Sequence, residues 1–272
     1  MADLTTQYPS SPSFQSVNFK LVTPSQVTET NSGKVRRTGY GVSYYTWEVQ
    51  YPTLTPVEAG TIQGYLAQTF GPQLSFEIVL PEISYTKSTN APSTRVRVVT
   101  ADAPNGFTNT IGVKQIKLEN CGSSKRVLAA GDFFKFSGHS KVYMCVSPCD
   151  SDFAGNATLY FSGSLTNNVD TVLKSTGISG TTLTTTGLDS SYVGKSITGS
   201  GVVNGTYITA VTNSTTATVS QSQTVVSTMV TYHESLTLTA VPFTAILSED
   251  VQEWSVGYGG LTTLKIGMRE NW

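Results

Sequence analysis

Tyr45-Thr46-Trp47-Glu48-Val49-Gln50-Tyr51 sets large aromatic or β-branched side chains at every second position, with polar residues between them. Successive side chains of a strand point to opposite faces, so this period of two predicts a strand with one buried face. Leu74, Phe76, Ile78 and Leu80 repeat the alternation, and Pro81 closes it. Between the two strands the residues predict one helix, at 55–70. Thr55 is placed to cap the free N–H groups, Pro56 stands where no N–H is needed, and Glu58 completes a capping box. Ile62, Tyr65, Leu66 and Phe70 fall on one stripe, and Gly71-Pro72 stops the helix. A helix this short is marginal alone, so its stripe is expected to lie on the sheet built by the flanking strands.

Working outward, residues 1–16, with Pro9 and Pro12, read as a flexible arm ahead of a β unit over 17–107. Within that unit 84–107 reads as a polar linker, extended at Arg95–Val99. A second unit is expected over 108–166 and 233–272. Ile111, Val113, Ile116 and Leu118 mark short strands, and turns at Ala130-Gly131-Asp132 and Ser137-Gly138-His139-Ser140 bracket Phe133–Phe136. Val142–Val146 follows, Leu236 and Leu238 resume the pattern, and Leu264, Ile266 and Met268 end it. Short strands with frequent turns imply a small barrel or sandwich. Over 167–232 charge nearly vanishes and Thr, Ser, Gly and Val dominate. That stretch reads as a separate β module inserted into a loop of the second unit, the alternative being a long hairpin extension of the barrel. The expected fold class is mainly β: an N-terminal β-sandwich-like unit with one packed α-helix, then a small β-barrel carrying an inserted β module.

Composition narrows function. The 272 residues (29.1 kDa) carry only 13% charged side chains, about half the usual ~25%. Lys and Arg number 17 against 18 Asp and Glu, so there is no basic footprint for nucleic acid and no polybasic membrane anchor. No apolar run is long enough to span a membrane. With 38% hydrophobic and 10% aromatic residues the chain has enough apolar surface to fold. Three cysteines (Cys121, Cys145, Cys149), an odd number behind a polar Pro/Ser-rich start, are expected as buried thiols of a chain folded in a reducing cytosol.

Candidate chemistry is sparse. The two histidines, His139 and His233, have no metal-ligand spacing, and the three thiols with His139 do not match a zinc ribbon or finger. Asp132, Ser137, His139 and Ser140 invite a Ser/His/Asp reading, yet no nucleophile elbow surrounds the serine, and Asp132 and His139 are expected to cap turns. Glu249-Asp250 and Glu253 read as solvated acids rather than a glycosidase pair. Gly199-Ser200-Gly201 leads into strand residues, without a helix to bind phosphate. Arg36-Arg37 reads as an edge guard or a bridge to a neighbouring subunit. Asn156, Asn204 and Asn213 each begin an Asn-x-Ser/Thr triplet, as chance allows in so Thr-rich a chain. No catalytic, cofactor or metal residue is assigned, and the chain is expected not to be an enzyme.

Arg37-Thr38-Gly39, the aromatic strand Tyr45–Tyr51 with Trp47, the helix start Pro52-Thr53-Leu54-Thr55-Pro56-Val57-Glu58-Ala59 and the return Gly71 to Leu80-Pro81 resemble phage distal tail proteins. Gly131-Asp132-Phe133 and Gly138-His139-Ser140-Lys141-Val142-Tyr143 resemble the second β-barrel of related phage proteins, with Val241-Pro242-Phe243 to Trp254 and the last strand as its close. Tyr192–Gly201, Gly205–Val211 and Thr218–Gln221 resemble a short Ig-like or decoration-type repeat of virion proteins, sitting where simpler relatives have a turn. The resemblance implies a structural virion protein of a tail tip or baseplate. It implies a ring-forming homo-oligomer, a hexamer, whose partners are the tail tube and tail hub proteins, and tail fibres or host-surface glycan. Assembly is expected in the host cytoplasm. The alternative is a glycan- or receptor-binding tail protein that acts in adsorption through the inserted module. Low charge with many strands agrees with large surfaces buried in a closed ring.

Overall fold

A computed structural model of the chain describes residues 7–39, 42–92, 95–99, 109–169, 171–249 and 251–272. It divides into two compact units, 1–84 with 242–272, and 85–241. In chain order the first unit supplies β1 (Ser16–Val22), β2 (Ser25–Glu29), β3 (Val35–Gly39), β4 (Tyr44–Gln50), α1 (Pro56–Gln68) and β5 (Phe76–Ile78). The second supplies β6 (Arg97–Val98), β7 (Gln115–Glu119), β8 (Arg126–Leu128), β9 (Phe133–Phe136), β10 (Val142–Met144), β11 (Cys149–Asp150) and β12 (Ala157–Tyr160). It continues through β13 (Val172–Thr184), β14 (Ser196–Gly199), β15 (Ile208–Asn213), β16 (Thr216–His233) and β17 (Leu236–Thr237). The chain then returns to the first unit with β18 (Phe243–Leu247), β19 (Trp254–Val256) and β20 (Thr262–Glu270).

The first unit is an antiparallel sheet in the order β1-β4-β20-β18-β5, with β19 on β20. The alternation that predicted β4 holds residue by residue, since Tyr45, Trp47 and Val49 are buried while Glu48 and Gln50 face outward. Trp47 stands opposite Met268 and Phe19, and Val49 opposite Ile266. Phe243 meets the Trp47 ring edge-on at 5.4 Å. The capping box forms as expected: Glu58 N–H donates to Thr55 Oγ1, and the Glu58 carboxylate accepts from Thr55 N–H at 2.9 Å. Ile62, Tyr65 and Leu66 are buried.

Four expectations need correction here. Phe70 is 68% exposed, because the helix ends before it. The seventh position after Ile62 is Thr69, which is buried and whose Oγ1 donates to Leu66 O at 2.8 Å; Phe70 itself adopts a left-handed conformation (φ 49°) as the chain turns away. Within the expected arm at 1–16, Gln7 and Tyr8 are packed into the first unit. Gln7 bridges Glu77, Tyr8 is buried against Tyr65 and Phe76, and the Tyr8 and Tyr51 hydroxyls bond at 2.8 Å. Tyr85 onward belongs to the second unit, with Val96 and Val98 in its core, so the boundary lies at 84/85 rather than 107/108. Finally, β18 and β20 do not close the barrel: they pair with β5 and β4, because their inward residues complete the core begun by the aromatic strand.

The second unit carries three small sheets, β10-β9-β17, β11-β8 and β12-β7-β6. The bridges Cys145–Phe161 and Arg97–Ser235 join the first to the third at both ends. Six strands thereby form a closed circuit, the arrangement that removes free edges. Phe134, Phe136, Tyr143 and Phe161 pack inside it with Leu118, Leu128 and Leu159. The inserted stretch forms a four-stranded sheet around the long β16, with β13 along one edge and β14 and β15 sharing the other. It has its own core of Ile178, Leu183, Ile197, Ile208, Val219 and Tyr232. The β13–β16 ribbon extends from the barrel, and its sheet encloses this second core within the same compact unit.

Candidate functional site

Asp132 lies at the Ala130–Asp132 turn, almost fully buried, and its carboxylate is fully used by its own fold. Oδ2 accepts from Thr86 Oγ1 (2.7 Å) and from Ala129 N–H (2.8 Å), and Oδ1 accepts from Lys87 N–H (3.0 Å). Ser137 turns to a different acid. Its Oγ donates to Glu234 at 2.5 Å and accepts from Ser235 N–H at 2.9 Å. His139 packs on Phe136 with 5.4 Å between ring centres, and its Nδ1 has no partner. Burial pushes the His139 imidazole down to about 4, opposed by a bond to the Asn168 backbone and reinforced by Lys195 and Lys135. Asp132, Ser137 and His139 are thus separate fixtures of two turns on either side of β9. A general base needs a hydrogen bond to its nucleophile, and here the serine is held by Glu234.

The thiols behave as core. Cys121, Cys145 and Cys149 are free and buried, and burial raises them to about 12, 11 and 12. A thiol held that high is neither nucleophile nor ready ligand, and among the described residues no cluster of three His, Cys, Asp or Glu is placed to hold a metal. Gly199 ends β14 against Val230. Asn213 accepts from Thr215 N–H and Oγ1, both at 2.9 Å, shaping the β15–β16 turn. Asp250 lies outside the described residues.

A joint that sequence reading missed sits where the inserted module meets the barrel. Lys195 Nζ and Glu234 Oε1 form an ion pair at 2.6 Å with side chains 9% and 5% exposed. Arg95 Nη1 donates to Gly194 O at 2.7 Å while its guanidinium covers the Tyr207 ring at 3.8 Å. A Cβ on Gly138 would come within 2.8 Å of Ser191 O, so the turn and the module are in close backbone contact. Lys195 and Glu234 are far apart in sequence and each looks like an ordinary surface residue. The only hint was their rarity in so uncharged a stretch.

What the first unit presents outward is different in kind. In β2 and β3 every residue is exposed, forming a ribbon that leaves β1 and β4 at their Val22 and Tyr44 ends. Val27 and Val35 are among its exposed side chains, with Lys34, Arg36 and Arg37. Beyond β18, Val251, Trp254, Val256, Tyr258 and Leu261 are also exposed, and β19 pairs with the end of β20. This flap borders an open cleft of about 520 Å³ lined by Glu48, Glu249, Glu253, Trp254 and Lys265 among others. A two-stranded ribbon is at best marginal alone in water, and clustered exposed apolar side chains mark contact surfaces. The first unit therefore offers two exposed β ribbons, the second of them beside this cleft, as candidate contact surfaces. Compared with known protein families and with curated proteins, the chain matches none.

Proposed function

We propose that the chain is a structural subunit of a bacteriophage tail tip or baseplate, similar to distal tail proteins, which closes into a homo-oligomeric ring between the tail tube and the hub and fibre proteins. The observation that carries the reading is the pair of outward ribbons on the first unit, β2–β3 and the β19 flap, with their apolar side chains in solvent. Such surfaces gain from burial about 25 cal/mol per Å² when a neighbouring subunit covers them. The subunit performs no reaction in this reading, in keeping with an Asp132 and a Ser137 already engaged by their own fold. Light scattering on the purified full chain is the test: a ring returns a mass several times that of the chain, whereas a strict monomer at every concentration overturns it. Adsorption through the inserted module is the weaker alternative. Its tyrosines Tyr192 and Tyr232 are buried and Tyr207 lies under Arg95, so among its described residues no exposed aromatic remains for a sugar to stack on.

A further inference from the structure

The geometry points to a specific ring contact: the β2–β3 ribbon of one copy seats its valine face in the cleft beside the β19 flap of the next, with Arg37 against Glu249 and Glu253. This deepens the ring reading above and rests on it. Residues opposed in an antiparallel pair share a face, and the register sets Val27 opposite Arg37 and Glu29 opposite Val35. One face of the ribbon thus carries Val27, Val35 and Arg37 with the single acid Glu29, and Arg36 lies on the other face beside Thr28. The cleft offers the complement. Val251 and Trp254 supply exposed apolar surface, and Glu249 and Glu253 supply charge. Glu48 is already matched by Lys265 at 2.8 Å, which leaves the two flap glutamates as the uncompensated charges. Among the described residues none of Lys34, Arg36, Arg37, Glu249 or Glu253 forms an ion pair within the chain.

Placement favours a second copy over a fold-back. The ribbon departs at the Tyr44 end of β4, while the cleft is lined by Glu48 and Gln50 at the other end of that strand. Two different patches on opposite ends of one strand make a head-to-tail contact, and repeated head-to-tail contacts close rings. The charges steer and register the contact while the valines and Trp254 supply burial, the usual division between electrostatic and apolar parts of an interface.

The test is the oligomeric mass of the full chain by light scattering, run against ionic strength and with charge-reversed variants. Arg37→Glu alone and Glu253→Arg alone are each expected to weaken association about tenfold or more, and the two together in one chain to restore it. Added salt is expected to weaken association of the unaltered ring, because exposed charges are screened within about 10 Å at 0.1 M. Circular dichroism establishes that each variant is folded, and the salt titration needs no variant at all. An oligomer whose mass is unchanged by both reversals and by salt overturns this contact and leaves the ring standing. Single reversals that weaken assembly without recovery in the combined variant overturn the pairing of these residues. A chain that never self-associates removes the ring and the contact together.

Discussion

His139 shows how far one buried residue can reach into the behaviour of a fold. Its ring rests on Phe136, and burial holds it well below its ordinary range, at about 4. In the unfolded chain the same group titrates near its unperturbed value of about 6.5. As pH falls from neutral, the unfolded chain therefore takes up the proton first, so stability present above about 6.5 is lost progressively down to about 4. The loss amounts to at most about 3.5 kcal/mol, at about 1.4 kcal/mol per unit. Burial also lowers His233, which acts in the same sense. Denaturant unfolding measured at a series of pH values is expected to show this slope, and His139→Leu to flatten it. A slope that His139→Leu leaves untouched would assign the dependence to other groups.

At the scale of elements, α1 was legible because its signals are local. Thr55, Pro56 and Glu58 lie within one turn, and no distant residue is needed to make the box. Thr55→Ala is expected to cost about 1 kcal/mol in thermal or denaturant unfolding, within the usual range for caps. Glu58→Ala added to it is expected to cost less than the sum of the two, because both residues serve one box. Additive losses would mean the two caps act independently. The strands were legible where one face is buried, as in β4, β7 and β20. Their partners were not, since pairing depends on residues far along the chain. Nothing near Leu264 or Ile266 tells that β20 lies beside β4 rather than closing the barrel. The same limit applied to the candidate site. Asp132 was read correctly as capping its turn, through Ala129 N–H, but the His139 ring packs on Phe136 and bonds to the Asn168 backbone instead of capping its turn, and the Lys195–Glu234 pair needed the module and the barrel to be folded first.

For the whole molecule the question is whether the inserted module is a dependent extension or a separable body. Val172 and Tyr232 are direct partners at the base of the β13–β16 ribbon, so the two ends of the module lie about 5 Å apart. Residues 172–232 can then be replaced by two glycines without stretching the barrel. Among the described residues the barrel core (Leu118, Phe134, Tyr143, Phe161) includes Val169, just before the ribbon, and no residue of 172–232. One cost is specific. Excision removes Lys195 from beside Glu234, and breaking a buried pair in this way costs about 3–5 kcal/mol. Glu234→Gln keeps an oxygen to accept from Ser137 while removing the charge. The excised chain carrying Glu234→Gln is therefore expected to unfold at a higher denaturant concentration than the excised chain alone, with the difference confined to the barrel transition. In the full chain the same substitution is expected to destabilise, because there it strips Lys195 of its acid. A change of sign between the two backgrounds identifies the ion pair as the lock between module and barrel. An equal effect in both would show that Glu234 serves the barrel alone.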